Sequence, residues 1–151
     1  MNFTGNPGRR PLAALWLLGL MLPLWGCSQE GAGLALVGPE WRLVEYGGLD
    51  HPAQVLEGTE AQVQFGPDGR MVGNAGCNDI QASYQLQGDR LEIGEIASTR
   101  KFCHDPEDIM DQEAQIIRAL MSAESASIED NRLRIFYDQS RRALFFRQAA
   151  P

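Results

Sequence analysis

Ala61-Gln62-Val63-Gln64-Phe65-Gly66-Pro67-Asp68-Gly69-Arg70-Met71-Val72-Gly73-Asn74 reads as a β-hairpin. Ala61 to Phe65 alternates, with Val63 and Phe65 on one face, as a half-buried strand requires. Pro67-Asp68-Gly69 is turn chemistry: proline presets φ, and glycine accepts a positive φ without steric cost. Arg70 to Asn74 then returns as the partner strand.

Similar runs lie on both sides. Trp41 to Tyr46 is aromatic and β-branched, and Gly47-Gly48 is expected to end it. Leu49 to Thr59 contains Pro52 and reads as a loop. Ala82 to Leu86 alternates with Tyr84 and Leu86 together, Gly88-Asp89 turns, and Leu91 and Ile93 follow on a further strand. Ile96 to Thr99 is a short strand, and Ser127-Ile128 begins another. Arg132 to Tyr137 and Ala143 to Arg147 close the chain as a last hairpin. One helix interrupts them. Asp105 offers an N-cap, Pro106 suits the first helical position, and Glu107 and Asp108 favour the positive end of the helix dipole. Ile109, Met110, Ile116, Ile117, Leu120 and Met121 give it one apolar face from about Pro106 to Met121. Strands joined by short turns predict an α+β domain: a curved antiparallel sheet of seven or eight short strands packed around one main helix.

The N-terminus reads as an address. Arg9 and Arg10 precede an almost wholly apolar run, Leu12 to Trp25. A basic segment followed by a short apolar one is a secretory signal; about 14 residues fall short of the ~20 that a spanning helix needs. The run ends Leu24-Trp25-Gly26-Cys27, which resembles the bacterial lipobox. That resemblance implies acylation of Cys27, with lipids such as palmitate, and cleavage before it. Ser28, being other than aspartate, implies sorting to the outer membrane facing the periplasm. The expected organisation is residues 1–26 as lipoprotein signal peptide, 27–36 as lipidated tether and 37–148 as the domain. The 125 residues left (151 less 26) carry 11 basic and 20 acidic side chains, net −9. Such an acidic body would be repelled by anionic headgroups, so the acyl chains, rather than a basic patch, must hold it to the membrane. Nor does it suit nucleic acid, whose phosphates call for clustered cations.

Two further segments point to a family. Gly73-Asn74-Ala75-Gly76-Cys77-Asn78 is followed by Tyr84, and Ser98-Thr99 stands four residues before Cys103. With Trp41 at the start, this order resembles the META domain family, that of the heat-inducible lipoprotein HslJ, over about Val37 to Gln148. Ile80 and Ala82 replace an aromatic and a glycine of the family pattern, and Lys101 stands in place of an apolar residue. The resemblance implies a small α+β envelope domain linked with heat and other stress, with no known reaction, catalytic residue or cofactor to carry over.

Once Cys27 is acylated, Cys77 and Cys103 are the remaining thiols. In an oxidising compartment they suit a structural disulfide, worth about 3.5 kcal/mol for a loop of this length in the chain-entropy model. Two buried free thiols are the alternative; without Cys-x-x-Cys a redox pair is disfavoured. His51 and His104 lack the spacing of a metal site. Gly73, Gly76 and Asn78 lack the lysine of a phosphate loop and read as tight-turn geometry. Trp41, Tyr84, Ser98 and Thr99 are expected to be structural. Arg132, Arg134, Arg141, Arg142 and Arg147 give the last hairpin a basic bias, either solvated charge or a partner-docking or lipid-facing strip. The chain is therefore expected to be a non-enzymatic, lipid-anchored envelope protein, without metal or cofactor, whose partner is the membrane together with an unidentified envelope protein. The alternatives are a small-ligand or peptide-binding module, or an enzyme of unrecognised type.

Overall fold

The computed structural model describes residues 1–2 and 36–150; Cys27 and residues 3–35 lie outside them. The elements run in the order β1 Glu40–Gly48, β2 Pro52–Gln54, β3 Glu60–Phe65, β4 Arg70–Gly76, β5 Asp79–Gln87, β6 Arg90–Ile93, β7 Ala97–Ser98, α1 Ile109–Met121, β8 Ala123–Glu129, β9 Arg132–Tyr137 and β10 Arg142–Gln148.

Every named pairing is antiparallel, and the sheet closes on itself. The ring runs β1-β3-β4-β5-β6-β8-β9-β10 and returns to β1. The closing seam pairs Trp41 with Gln148 at one end and Gly48 with Arg142 at the other, with a bulge between Leu43 and Glu45. β2 lies against the second half of β1, and β7 against the start of β5. The expected open sheet curved around a main helix is thus incorrect: the domain is an eight-stranded barrel with two extra strands and one short helix. The reason is physical. β1 has hydrogen-bonding groups on both edges, and closure satisfies both sets where an open sheet would leave two edges bare. β1 ends at the glycine pair, as expected, and takes both glycines in as its last two residues, with Gly47 at φ +113°.

The interior is filled by inward-facing side chains at every second position. Phe65, Met71, Leu91, Leu133, Ile135 and Leu144 are completely buried, with Trp41 and Phe146 nearly so. Each is worth about 1.5–3 kcal/mol relative to exposure. Trp41 also donates its indole N–H to the Leu36 carbonyl at 3.0 Å, which draws the entering chain onto the barrel end where β3 finishes. Val37 bridges to Phe65 at that same end.

The helix lies across the opposite mouth, against β4, β6, β9 and β10. It begins three residues later than its sequence suggests. Asp108 takes a left-handed conformation at φ 65° and makes no side-chain cap, so the first helical residue is Ile109. Ile116, Ala119 and Leu120 join the barrel core from above.

Gly73 is extended within β4 and is not a turn residue. Glycine is needed because a Cβ there would overlap the Gln62 carbonyl oxygen and press on the Val63 Cα. Gly73→Ala is expected to cost about 1–3 kcal/mol by forcing β3 and β4 apart, read as a lower urea midpoint; an unchanged midpoint would show that the two strands can separate freely.

Candidate functional site

The two sequence segments singled out for their pattern meet beneath α1. The β4–β5 connection is the two-residue turn Cys77-Asn78, closed by the Ala75 N–H donating to the Asn78 carbonyl at 2.9 Å. Gly76 enters it at φ +121°, a conformation that favours glycine. The Asn74 side chain accepts from the Gly76 N–H at 2.8 Å and braces the same corner.

Glu113 descends from α1 onto this turn. Its Oε2 accepts the N–H groups of Cys77 (3.1 Å) and Asn78 (2.6 Å), and its Oε1 accepts from the Asn78 side-chain amide at 2.7 Å. Asn78 in turn uses its Oδ1 to accept the Thr99 hydroxyl and the Lys101 N–H, both at 2.7 Å. Thr99 Oγ1 accepts the Asp79 N–H at 3.1 Å. Gln112, one position along α1, accepts the Leu56 N–H at 2.7 Å and donates to Thr59 at 3.2 Å. Asn78, Gln112 and Glu113 are the buried polar residues of the described chain, and no buried side-chain polar atom among those residues lacks a partner.

A covalent link lies beside the network. Cys77 and Cys103 form a disulfide with their Cα atoms 6.1 Å apart. It ties the turn to the connection that leads into α1. The solvent side is charged: Lys101 donates to Asp79 at 2.9 Å, and this bond, with that from Asn74, holds the Asp79 carboxyl below the usual aspartate value.

The remaining sequence candidates sit elsewhere. Tyr84 donates its hydroxyl to the Gly66 carbonyl at 2.7 Å and packs edge-on against Phe65, so it pins the β3–β4 turn at the far end of the barrel. Ser98 is exposed on β7, paired with Ile80. His104 lies against the exposed Phe102 ring. Among the described residues no three His, Cys, Asp or Glu side chains are grouped to hold a metal ion. Arg132, Arg134 and Arg147 border a shallow depression on the outer wall with Val44 and Phe145, and Arg134 is paired to Glu129 at 2.7 Å. Arg142 instead projects at the α1 mouth.

Sequence reading found Asn78, Thr99 and both cysteines but missed Gln112 and Glu113. A signal was present. Ile109, Gln112, Glu113, Ile116 and Leu120 fall at i, i+3, i+4, i+7 and i+11, so two polar residues occupy the apolar stripe itself.

The META domain matches this chain over residues 34–150. No curated protein matches it. Solved structures share the fold. One is an NMR structure of a protein from Burkholderia xenovorans, at TM-score 0.65 and 20% identity, covering 78% of this chain and 86% of its own. Another is a crystal structure of a DUF4847 family protein from Bacteroides vulgatus, at TM-score 0.60 and 14% identity, covering 77% of this chain and 96% of its own.

Two predictions follow from the lock. Glu113→Gln would turn an amide NH2 or a lone acceptor toward three donors. It should therefore cost about 1–3 kcal/mol, measured by urea unfolding with the disulfide intact; stability equal to the parent would show that the carboxylate is not needed as acceptor. Reduction, or the Cys77→Ala/Cys103→Ala double variant, should lower stability by about 3.5 kcal/mol. Thiol titration of the unreduced, denatured domain should find neither Cys77 nor Cys103 free.

Proposed function

The chain belongs to the META domain family, and from that membership and its N-terminus we propose a lipid-anchored protein of the bacterial cell envelope. It is held by acyl chains on Cys27 at the outer membrane, facing the periplasm. Its work is to bind or support another envelope component under stress, without catalysing a reaction. The observation that carries this reading is the internal use of the family motif. Asn78, Thr99 and Glu113 direct their polar side-chain atoms at one another and at nearby backbone, so the motif builds a scaffold. Export is supported by the Cys77–Cys103 disulfide, a bond that persists in oxidising compartments.

The fold adds a point of attachment to this reading. The chain enters the barrel at the end where Leu36 and Val37 meet Trp41 and Phe65. The helix covers the other end.

Metabolic labelling with an alkyne palmitate in a Gram-negative host tests the anchor. The parent chain should carry label and sediment with outer membrane, whereas Cys27→Ala should lose the label and remain an uncleaved precursor. Label retained on the variant would end the proposal.

A further inference from the structure

The α1 mouth holds a cleft of about 400 Å³ that neither the lock nor the anchor uses. One wall is α1, where Asp111, Gln115 and Arg118 fall at i, i+4 and i+7 and so form one stripe. Asp111 lies in the first turn of α1 and Arg118 in the last, about 10 Å apart along the helix axis. Tyr137 and Arg142, from the facing ends of β9 and β10, complete the other wall. The Arg142 guanidinium lies 5.5 Å from the centre of the Tyr137 ring.

Asp111, Arg118 and Arg142 are exposed, and none appears in an ion pair within 4.0 Å among the described residues, though Arg142 is engaged with Tyr137. Complementing the helix dipole accounts for an acid in the first turn and a base in the last. It does not account for Arg142, which comes from another element and lines the same space as Arg118.

Arg118 and Arg142 line the same cleft, and two planar forks of N–H donors suit a carboxylate. The Asp111 carboxylate, in the first turn of α1, suits an ammonium. A compact anion such as phosphate would satisfy the arginines and leave Asp111 repulsive. A zwitterion about 10 Å long satisfies both ends, and an extended peptide of three residues has that length at 3.3–3.6 Å per residue. We propose that this cleft binds a short linear peptide with free ends, its carboxylate on Arg118 and Arg142 and its ammonium on Asp111. The inference rests on the reading of the chain as a binding protein, and does not depend on how the chain is anchored.

Calorimetric titration of the full chain in detergent micelles with L-Ala-L-Ala-L-Ala tests it. Saturable binding is expected. Amidation of the peptide carboxylate should weaken it about tenfold or more and Arg142→Gln by less, since Arg118 remains, and the two together should do little more than amidation alone. Acetylation of the peptide amine and Asp111→Asn should behave as a second such pair. Because Arg142 also stacks on Tyr137, Arg118→Gln, at an exposed helix position, provides the same comparison with less disturbance of packing. No saturable heat up to about 10 mM peptide, or equal binding of free and amidated peptide, would overturn the proposal. Either result would leave palmitate labelling of Cys27 unaffected, and loss of that label would leave the titration unaffected.

Discussion

The seam between β1 and β10 joins the first strand of the domain to its last. Without that seam, Trp41, Leu43, Leu144 and Phe146 would line an open edge, and the row of backbone donors and acceptors on each strand would face water or another chain. With it, those side chains become the wall of a closed interior. Closure also creates two mouths, and the apolar filling behind each must be kept from water. The helix is the cover. Its position, the disulfide beside it and the buried polar network beneath it all presuppose a closed ring.

That dependence explains what could be read in advance. The strands from Ala61 to Asn74 and from Arg132 to Arg147 are written in alternation and turn chemistry, both local signals. The pairing of Trp41 with Gln148 has no local signature, because nothing near Trp41 specifies which strand will satisfy its second edge. An open curved sheet and a closed barrel share one alternating pattern, so the sequence supports the strands and leaves closure undecided. Gly47 and Gly48 were legible as the end of β1, but not the fact that Gly47 there pairs with both β2 and β10. The late helix start has a comparable cause. Asp105-Pro106 is good capping chemistry, yet the backbone takes its left-handed turn at Asp108, where the chain leaves the disulfide-bound segment.

The buried network gives the cover a register. An apolar stripe alone would let α1 slide or rotate by a turn at modest cost, since hydrophobic packing is non-directional. Glu113 removes that freedom: its carboxylate is satisfied only where the Cys77 and Asn78 N–H groups and the Asn78 amide converge. Gln112 fixes the adjacent position by closing the loop before β3. A displaced helix would leave a buried carboxylate unpartnered, a penalty of several kcal/mol. The disulfide sets the distance and the network sets the angle, which is why motif residues so far apart in sequence meet at one turn.

The two ends of the barrel are built differently. At the end where the chain enters, Tyr84 and Trp41 seal the turn and the entry strand with side-chain hydrogen bonds to backbone carbonyls. At the other end the lock holds only one face of α1, the face bearing Gln112 and Glu113. The opposite stripe, Asp111, Gln115 and Arg118, is left at the surface beside Arg142. The same constraint that immobilises the inner face therefore presents the outer one in a fixed geometry. A groove walled by an element that cannot slide is pre-organised, and binding there would cost little ordering of the protein.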